Sequence, residues 1–201
     1  MSQEGQAGQA CFGYTDWSWL NLPATWQSAE DSLEITSAPD SDFWVDTHYG
    51  YVRDSGHALL RPVPQTFVLR CSFAGHYRDQ YDQAGLMLRA DDKNWIKTGV
   101  EYVDGEYQLS AVVTRDVSDW NVVPLALISR PAPTPAAVTV EMHREGDAVT
   151  LRYAVDGSEP DTLLRLAYFP PQAEAEAGPM CASPIGSGFT TRFTSLTFAE
   201  V

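Results

Sequence analysis

The chain has almost no stretch in which apolar residues recur with the sustained 3.6-residue spacing of an amphipathic helix, which sets aside helical folds at the outset. Cysteine is scarce as well. Cys11, Cys71 and Cys181 are odd in number and far apart, which fits neither a disulfide framework nor a zinc site and suits a reducing cytoplasm. Basic residues number 13 against 27 acidic ones in 201, a formal net charge of -14. That balance repels phosphate backbones and anionic lipid, so neither nucleic acid nor membrane is an expected partner. Apolar runs stop well short of the ~18 residues needed to cross a bilayer as a helix. Residues 1–12 begin polar and rich in Gln and Gly rather than basic then apolar, and read as a flexible tail.

Other absences narrow the chemistry. There is no Gly-rich loop running into Lys-Ser/Thr and no Gly-x-Ser-x-Gly elbow, which removes nucleotide enzymes and nucleophile-elbow hydrolases. His48, His57, His76 and His143 fall on different segments with no His-x-His or His-x-x-x-His spacing, and Asp40 with Asp42 is a thin calcium set. No metal and no cofactor is expected.

What the chain does have is extended structure. Strands are predicted at Ser32–Thr36, Phe43–Asp46, Ala58–Arg61, Phe67–Tyr77, Gln83–Arg89, Trp95–Val103, Tyr107–Thr114, Val122–Leu127, Ala137–Arg144, Ala148–Val155, Leu163–Tyr168, Gly178–Ser183 and Phe189–Phe198. Asp104-Gly105, Glu145-Gly146-Asp147 and Asp156-Gly157 supply hairpin turns, since glycine adopts the positive φ that tight turns need. A stiff connector is expected at Arg130–Pro135 and an acidic loop at Gln172–Ala177. The expected fold is all-β, a two-sheet antiparallel sandwich or jelly roll forming one domain over residues 1–201.

Three motifs in the middle of the chain combine strand alternation with interior glycine and polar side chains: Tyr81-Asp82-Gln83-Ala84-Gly85-Leu86-Met87, Asn94-Trp95-Ile96-Lys97-Thr98-Gly99-Val100-Glu101 and Ser118-Asp119-Trp120. With Asp42-Phe43-Trp44, Gly56-His57, Asp156-Gly157 and Met180–Pro184, they make the chain resemble a domain-of-unknown-function family. That family includes the yeast regulation-of-enolase protein and is placed in the concanavalin A-like lectin/glucanase superfamily. The resemblance implies a jelly-roll sandwich of two curved antiparallel sheets, whose concave face commonly holds carbohydrate in related lectins and glycosidases. Asn121 departs from the serine expected after Ser118-Asp119-Trp120.

If Phe67–Tyr77, Gln83–Arg89, Trp95–Val103 and Tyr107–Thr114 share a sheet, one face is apolar and the other presents Arg70, Ser72, Gln83, Met87, Trp95, Lys97, Glu101, Gln108 and Ser110. A sugar ring stacks on indole or phenol while amides, ammonium and carboxylates hydrogen-bond its hydroxyls. The expected ligand site is therefore Trp44, Tyr81, Asp82, Gln83, Lys97, Glu101 and Trp120, taking a small carbohydrate or polyol without catalysis. Two alternatives stand beside it. One is an interaction protein that modulates a glycolytic enzyme through a protein partner. The other is a glycan hydrolase using Glu101, whose second carboxyl would come from Asp82 or Asp119, because Gly99 and Lys97 occupy the positions two and four residues before it.

Overall fold

The computed structural model describes residues 4–5, 10–125, 137–155 and 157–201. Its strands are β1 (Glu4–Gly5), β2 (Ser18–Leu20), β3 (Thr25–Ala29), β4 (Ser32–Thr36), β5 (Phe43–Val45) and β6 (Val52–Asp54). Then come β7 (His57–Val63), β8 (Thr66–Gly75), β9 (Gln83–Arg89), β10 (Asn94–Val103), β11 (Glu106–Arg115) and β12 (Val117–Pro124). The last five are β13 (Val138–Glu145), β14 (Ala148–Val155), β15 (Thr162–Tyr168), β16 (Ala175–Ala182) and β17 (Thr190–Glu200). They build two large antiparallel sheets, in the orders β1-β2-β7-β16-β9-β10-β11-β12 and β15-β14-β13-β8-β17-β4-β3, with β5 and β6 as a separate hairpin. The jelly-roll sandwich expected from the sequence is the fold observed.

Strict alternation in β8 buries every second residue, and Phe67, Leu69, Cys71 and Phe73 meet Ala84, Leu86, Leu88, Ile96, Val100, Leu109, Ala111 and Val113 from the other sheet. The turns follow glycine chemistry: Asp104 and Gly105 both adopt positive φ (53° and 82°) between Val103 and its partner Glu106. Asp156 and the connector Arg130–Pro135 lie outside the described residues, as does the end of the expected strand Val122–Leu127.

Four expectations need correction. Phe67–Tyr77 does not join the sheet of Gln83–Arg89. Strand β8 ends at Gly75 and the chain crosses to the opposite sheet before β9, so Arg70 and Ser72 face solvent and β13, where Arg70 pairs with Glu141 and Glu159. The segment Gln172–Ala177 is not wholly a loop, because β16 begins at Ala175 and carries Ala175 and Ala177 into the core. The tail ends before residue 12, since Cys11 is buried in the main core. Short strands β2, β3 and β6 carry too few alternating apolar residues to announce themselves.

The fourth correction positions the site. The outer face of β9, β10 and β16 is not an open polar surface. The β5–β6 hairpin folds over it, and Phe43, Trp44 and Val45 pack with Ala58, Leu60, Met87, Trp95, Val112 and Met180 in a second apolar cluster. Central strands β9 and β10 are consequently buried on both faces. Val45 N donates to Ser118 Oγ at 2.9 Å, fastening the hairpin to edge strand β12.

Candidate functional site

Beside the hairpin cluster the covering is incomplete. A narrow, open slot is lined by Asp42, Trp44, Tyr49, Tyr51, Tyr81, Gln83, Lys97, Glu101, Trp120 and Pro184. Six of the seven residues expected from sequence meet there. Asp82 does not, and that expectation is corrected: it is fully buried in a turn, where its carboxylate accepts from the Arg78 and Asp79 amides and the Ser183 hydroxyl. Asp82 thereby ties the 78–82 turn to the loop after β16 and stays out of the slot.

Each wall has a structural cause. Strand alternation places Lys97 and Glu101 on the outer face of β10, and Gln83 beside Glu101 on β9. Asp42 opens the hairpin, its backbone carbonyl accepting from the Ser55 and Gly56 amides. Tyr81 stands at φ 69°, a conformation that costs a non-glycine residue of order 1–3 kcal/mol and that closes the turn before β9. Its ring meets Trp120 edge-on at 6.4 Å, and its hydroxyl lies 3.1 Å from that of Tyr49. Tyr49 in turn packs edge-on against Trp44 and stacks on Tyr51. Tyr49, Tyr51 and Pro184 were not expected from sequence, because the hairpin turn and the loop after β16 carry no alternation to place them.

The interior glycines of β9 and β10 mark a close approach of the two neighbouring strands. Gly85 and Gly99 face each other in the ladder, and a Cβ on Gly99 would lie 1.9 Å from the Ala84 carbonyl oxygen. A small crevice adjoins Gly99, and Gln83, Lys97 and Glu101 line both it and the slot.

The floor is charged and buried. Asp42 and Glu101 are 6 % exposed, Gln83 and Lys97 5 %. Lys97 Nζ donates to the Phe43 carbonyl at 2.8 Å and faces Asp42 Oδ1 at 3.6 Å. The same Oδ1 accepts from the Phe43 amide at 2.7 Å. Trp120 Nε1 donates to Glu101 Oε2 at 2.9 Å and shares its hydrogen with Ser110 Oγ at 3.1 Å. Burial raises the Glu101 carboxyl above its ordinary pKa, with Asp42 adding to the rise and Lys97, Ser110 and Trp120 opposing it. The hydrogen bond with Tyr81, then burial, raises the Tyr49 phenol, and burial followed by Asp42 raises Tyr51.

The carboxyl partners suggested for Glu101 are elsewhere. Asp82 is held in its turn, and Asp119 points outward to an ion pair with Arg165. Asp42 is the carboxylate that shares the slot with Glu101. Among the described residues no three His, Cys, Asp or Glu side chains gather as a metal site.

Residues 19–201 match the model of the family described as Protein of unknown function (DUF1349). The chain is 34 % identical over 178 residues to Regulation of enolase protein 1 of Saccharomyces cerevisiae, across 88 % of this chain and 86 % of that protein. The crystal structure of a functionally unknown protein from Saccharomyces cerevisiae superposes with a TM-score of 0.84 at 30 % identity, over 92 % of this chain and 96 % of that one. A xylan β-1,4-xylosidase from Bacillus halodurans superposes with a TM-score of 0.67 at 15 % identity, over 92 % of this chain and 36 % of its own, a likeness of fold alone.

Proposed function

The chain belongs to the DUF1349 family, and from that premise we propose that it is a non-catalytic module binding a small carbohydrate or related polyol in the slot beside the β5–β6 hairpin. One observation carries the reading: a single cleft joins an aromatic wall of Trp44, Tyr49, Tyr51, Tyr81 and Trp120 to a buried polar floor of Asp42, Gln83, Lys97 and Glu101. Apolar faces with a few converging polar groups are the usual make-up of a small-molecule site. Catalysis of glycosidic cleavage fits less well, because Asp42 is held by Lys97 and the Phe43 amide rather than placed to activate a water.

The test is a thermal-shift screen against mono- and disaccharides, followed by crystals soaked with any hit. A ligand at about 100 times its dissociation constant adds about 2.7 kcal/mol of stability, which raises the melting temperature measurably. A sugar seated in the slot and displaced by Trp120→Ala supports the reading. Silence at millimolar concentration, or density elsewhere, sinks it.

The name of the yeast relative supports a second reading, in which the chain modulates a glycolytic enzyme by protein contact. Mixing the purified chain with enolase on a sizing column and in an activity assay tests it. An unchanged elution and an unchanged rate would dispose of it.

A further inference from the structure

The indole and amide donors of the slot are directed at the protein itself, which leaves the tyrosine hydroxyls and one Lys97 hydrogen as its open donors, while several acceptors beside them have no donor among the described residues. Gln83 directs one amide hydrogen to the Tyr81 carbonyl at 3.1 Å and the other toward Asp42 Oδ1 at 3.5 Å. Both partners can only accept, so the amide orientation is fixed and Gln83 Oε1 is left facing the cavity with no donor among the described residues. Trp44 Nε1 is used by the Thr47 carbonyl at 2.9 Å, and Trp120 Nε1 by Glu101 and Ser110. Lys97 gives one hydrogen to the Phe43 carbonyl and turns a second toward Asp42.

On the other side of the ledger, all hydrogen bonds to Asp42 fall on Oδ1 and none on Oδ2 among the described residues. Behind the slot, Gln108 pairs with Glu101 across the β10–β11 ladder, and its buried amide oxygen has no partner among the described residues. Two carboxylates, Asp42 and Glu101, stand against one ammonium, Lys97, in a site where charges are poorly solvated.

An occupant that completes this site brings donors and positive charge. A phosphorylated or carboxylated metabolite brings the opposite, and the chain's net charge of -14 repels it as well. A neutral sugar supplies hydroxyl donors and leaves the charge unbalanced. Aromatic faces around an ammonium add cation–π attraction, which strengthens when the pair is desolvated.

We propose that the slot takes an amine-bearing polyol, with an amino sugar as the ligand class, its ammonium directed to the carboxylates of Asp42 and Glu101 and its ring against Trp120 and Tyr81. This rests on the binding-module reading given above and narrows it.

The experiment is calorimetric titration of the full chain with D-glucosamine, D-glucose, N-acetyl-D-glucosamine and D-glucose 6-phosphate. A buffer at about pH 6.5 keeps an amine of ordinary basicity protonated. Glucosamine is expected to bind about tenfold or more tightly than either neutral sugar, with the phosphate weakest. Glu101→Gln, which keeps the side chain's shape, is expected to remove that preference while its melting curve stays cooperative.

Glucose binding as tightly as glucosamine overturns the amine proposal and leaves the carbohydrate reading standing. The same holds if N-acetylation costs nothing, or if Glu101→Gln keeps the preference. Failure of all four probes to bind overturns both.

Discussion

The two faces of the eight-stranded sheet are made from the same strands, and they behave differently. The inner face, with Leu86, Ile96, Val100 and Leu109, meets the opposite sheet in an apolar core. The outer face meets a hairpin from a distant part of the chain, which seals one half with Phe43, Trp44 and Val45 and leaves the other half as a charged slot. Hydrophobic contact is non-directional, so the inner face tolerates any apolar neighbour of fitting volume. Buried polar groups need specific partners, and those on the outer face come from separate elements: Phe43 from the hairpin, Ser110 from β11 and Trp120 from β12.

The comparison breaks most severely at Gly99, where the two faces share a backbone. A Cβ there would sit 1.9 Å from the Ala84 carbonyl oxygen and 2.7 Å from Gly85 Cα, and neither atom can swing aside. Gly99→Val is therefore expected to give no cooperative melt at all. Leu109→Ala on the inner face is expected to cost about 2–5 kcal/mol and leave a folded protein. A Gly99→Val chain that melts near the wild type would mean that strand approach does not fix the floor.

Next in size is Lys97. Removing its ammonium leaves Asp42 buried beside Glu101 with no cation, a change expected to cost about 3–5 kcal/mol. Lys97→Met followed by urea unfolding measures this, and adding Asp42→Asn should restore part of the loss. Strictly additive losses in the double variant would show that the two side chains do not act as a pair.

Titration separates the regions more finely. His57 is held neutral between two backbone groups, its Nε2 accepting from the Ala38 amide and its Nδ1 donating to the Asn21 carbonyl, and burial lowers its pKa. The unfolded chain then binds the proton more readily. Stability is full above the ordinary histidine value near ~6.5 and falls as pH drops through and below it. Glu101 has the opposite sign. Its folded pKa is raised, so the folded state is favoured at acid pH and that advantage is lost as pH rises through the folded value. Glu101→Gln is expected to raise the melting temperature at neutral pH, with a gain that shrinks toward acid pH and with the His57 slope intact. A variant less stable than wild type at neutral pH would contradict the picture of a strained, uncompensated carboxylate.

The same contrast explains what could be read from the sequence. Alternation alone placed Ala84, Leu86, Leu88, Ile96 and Leu109 inward, and glycine chemistry placed the Asp104-Gly105 turn. It also put Gln83, Lys97 and Glu101 on one face, which brought most of the slot within reach. Asp42 was considered only as a calcium ligand, because its role depends on how the hairpin lies against β10, a contact across 55 positions of chain that no periodicity encodes. Tyr49 and Tyr51 sit in a turn for the same reason. Asp82 was misassigned because a carboxylate in a turn before a strand looks alike in sequence whether it faces a ligand or three internal donors.

The smallest expected effect lies within one motif. Ser118, Asp119 and Trp120 are consecutive on β12, and alternation turns the middle one to the opposite face, toward Arg165 on β15. Ser118 accepts from the hairpin at Val45, and Trp120 donates to Glu101 in the slot. Asp119, with its side chain 72 % exposed, pairs with Arg165 at 2.7 Å on the surface, where Asn121 also accepts from the same guanidinium. Exposed pairs of this kind are worth about 0.2–1 kcal/mol and weaken with salt. Asp119→Asn should therefore shift the melting temperature slightly, less in high salt, and leave ligand affinity unchanged. Trp120→Phe should cost more than its neighbour, about 1–3 kcal/mol, because it strips a buried carboxyl of a donor. If Asp119→Asn proved the more damaging of the two, the outer edge of β12 rather than the slot would be the part of this motif that the fold depends on.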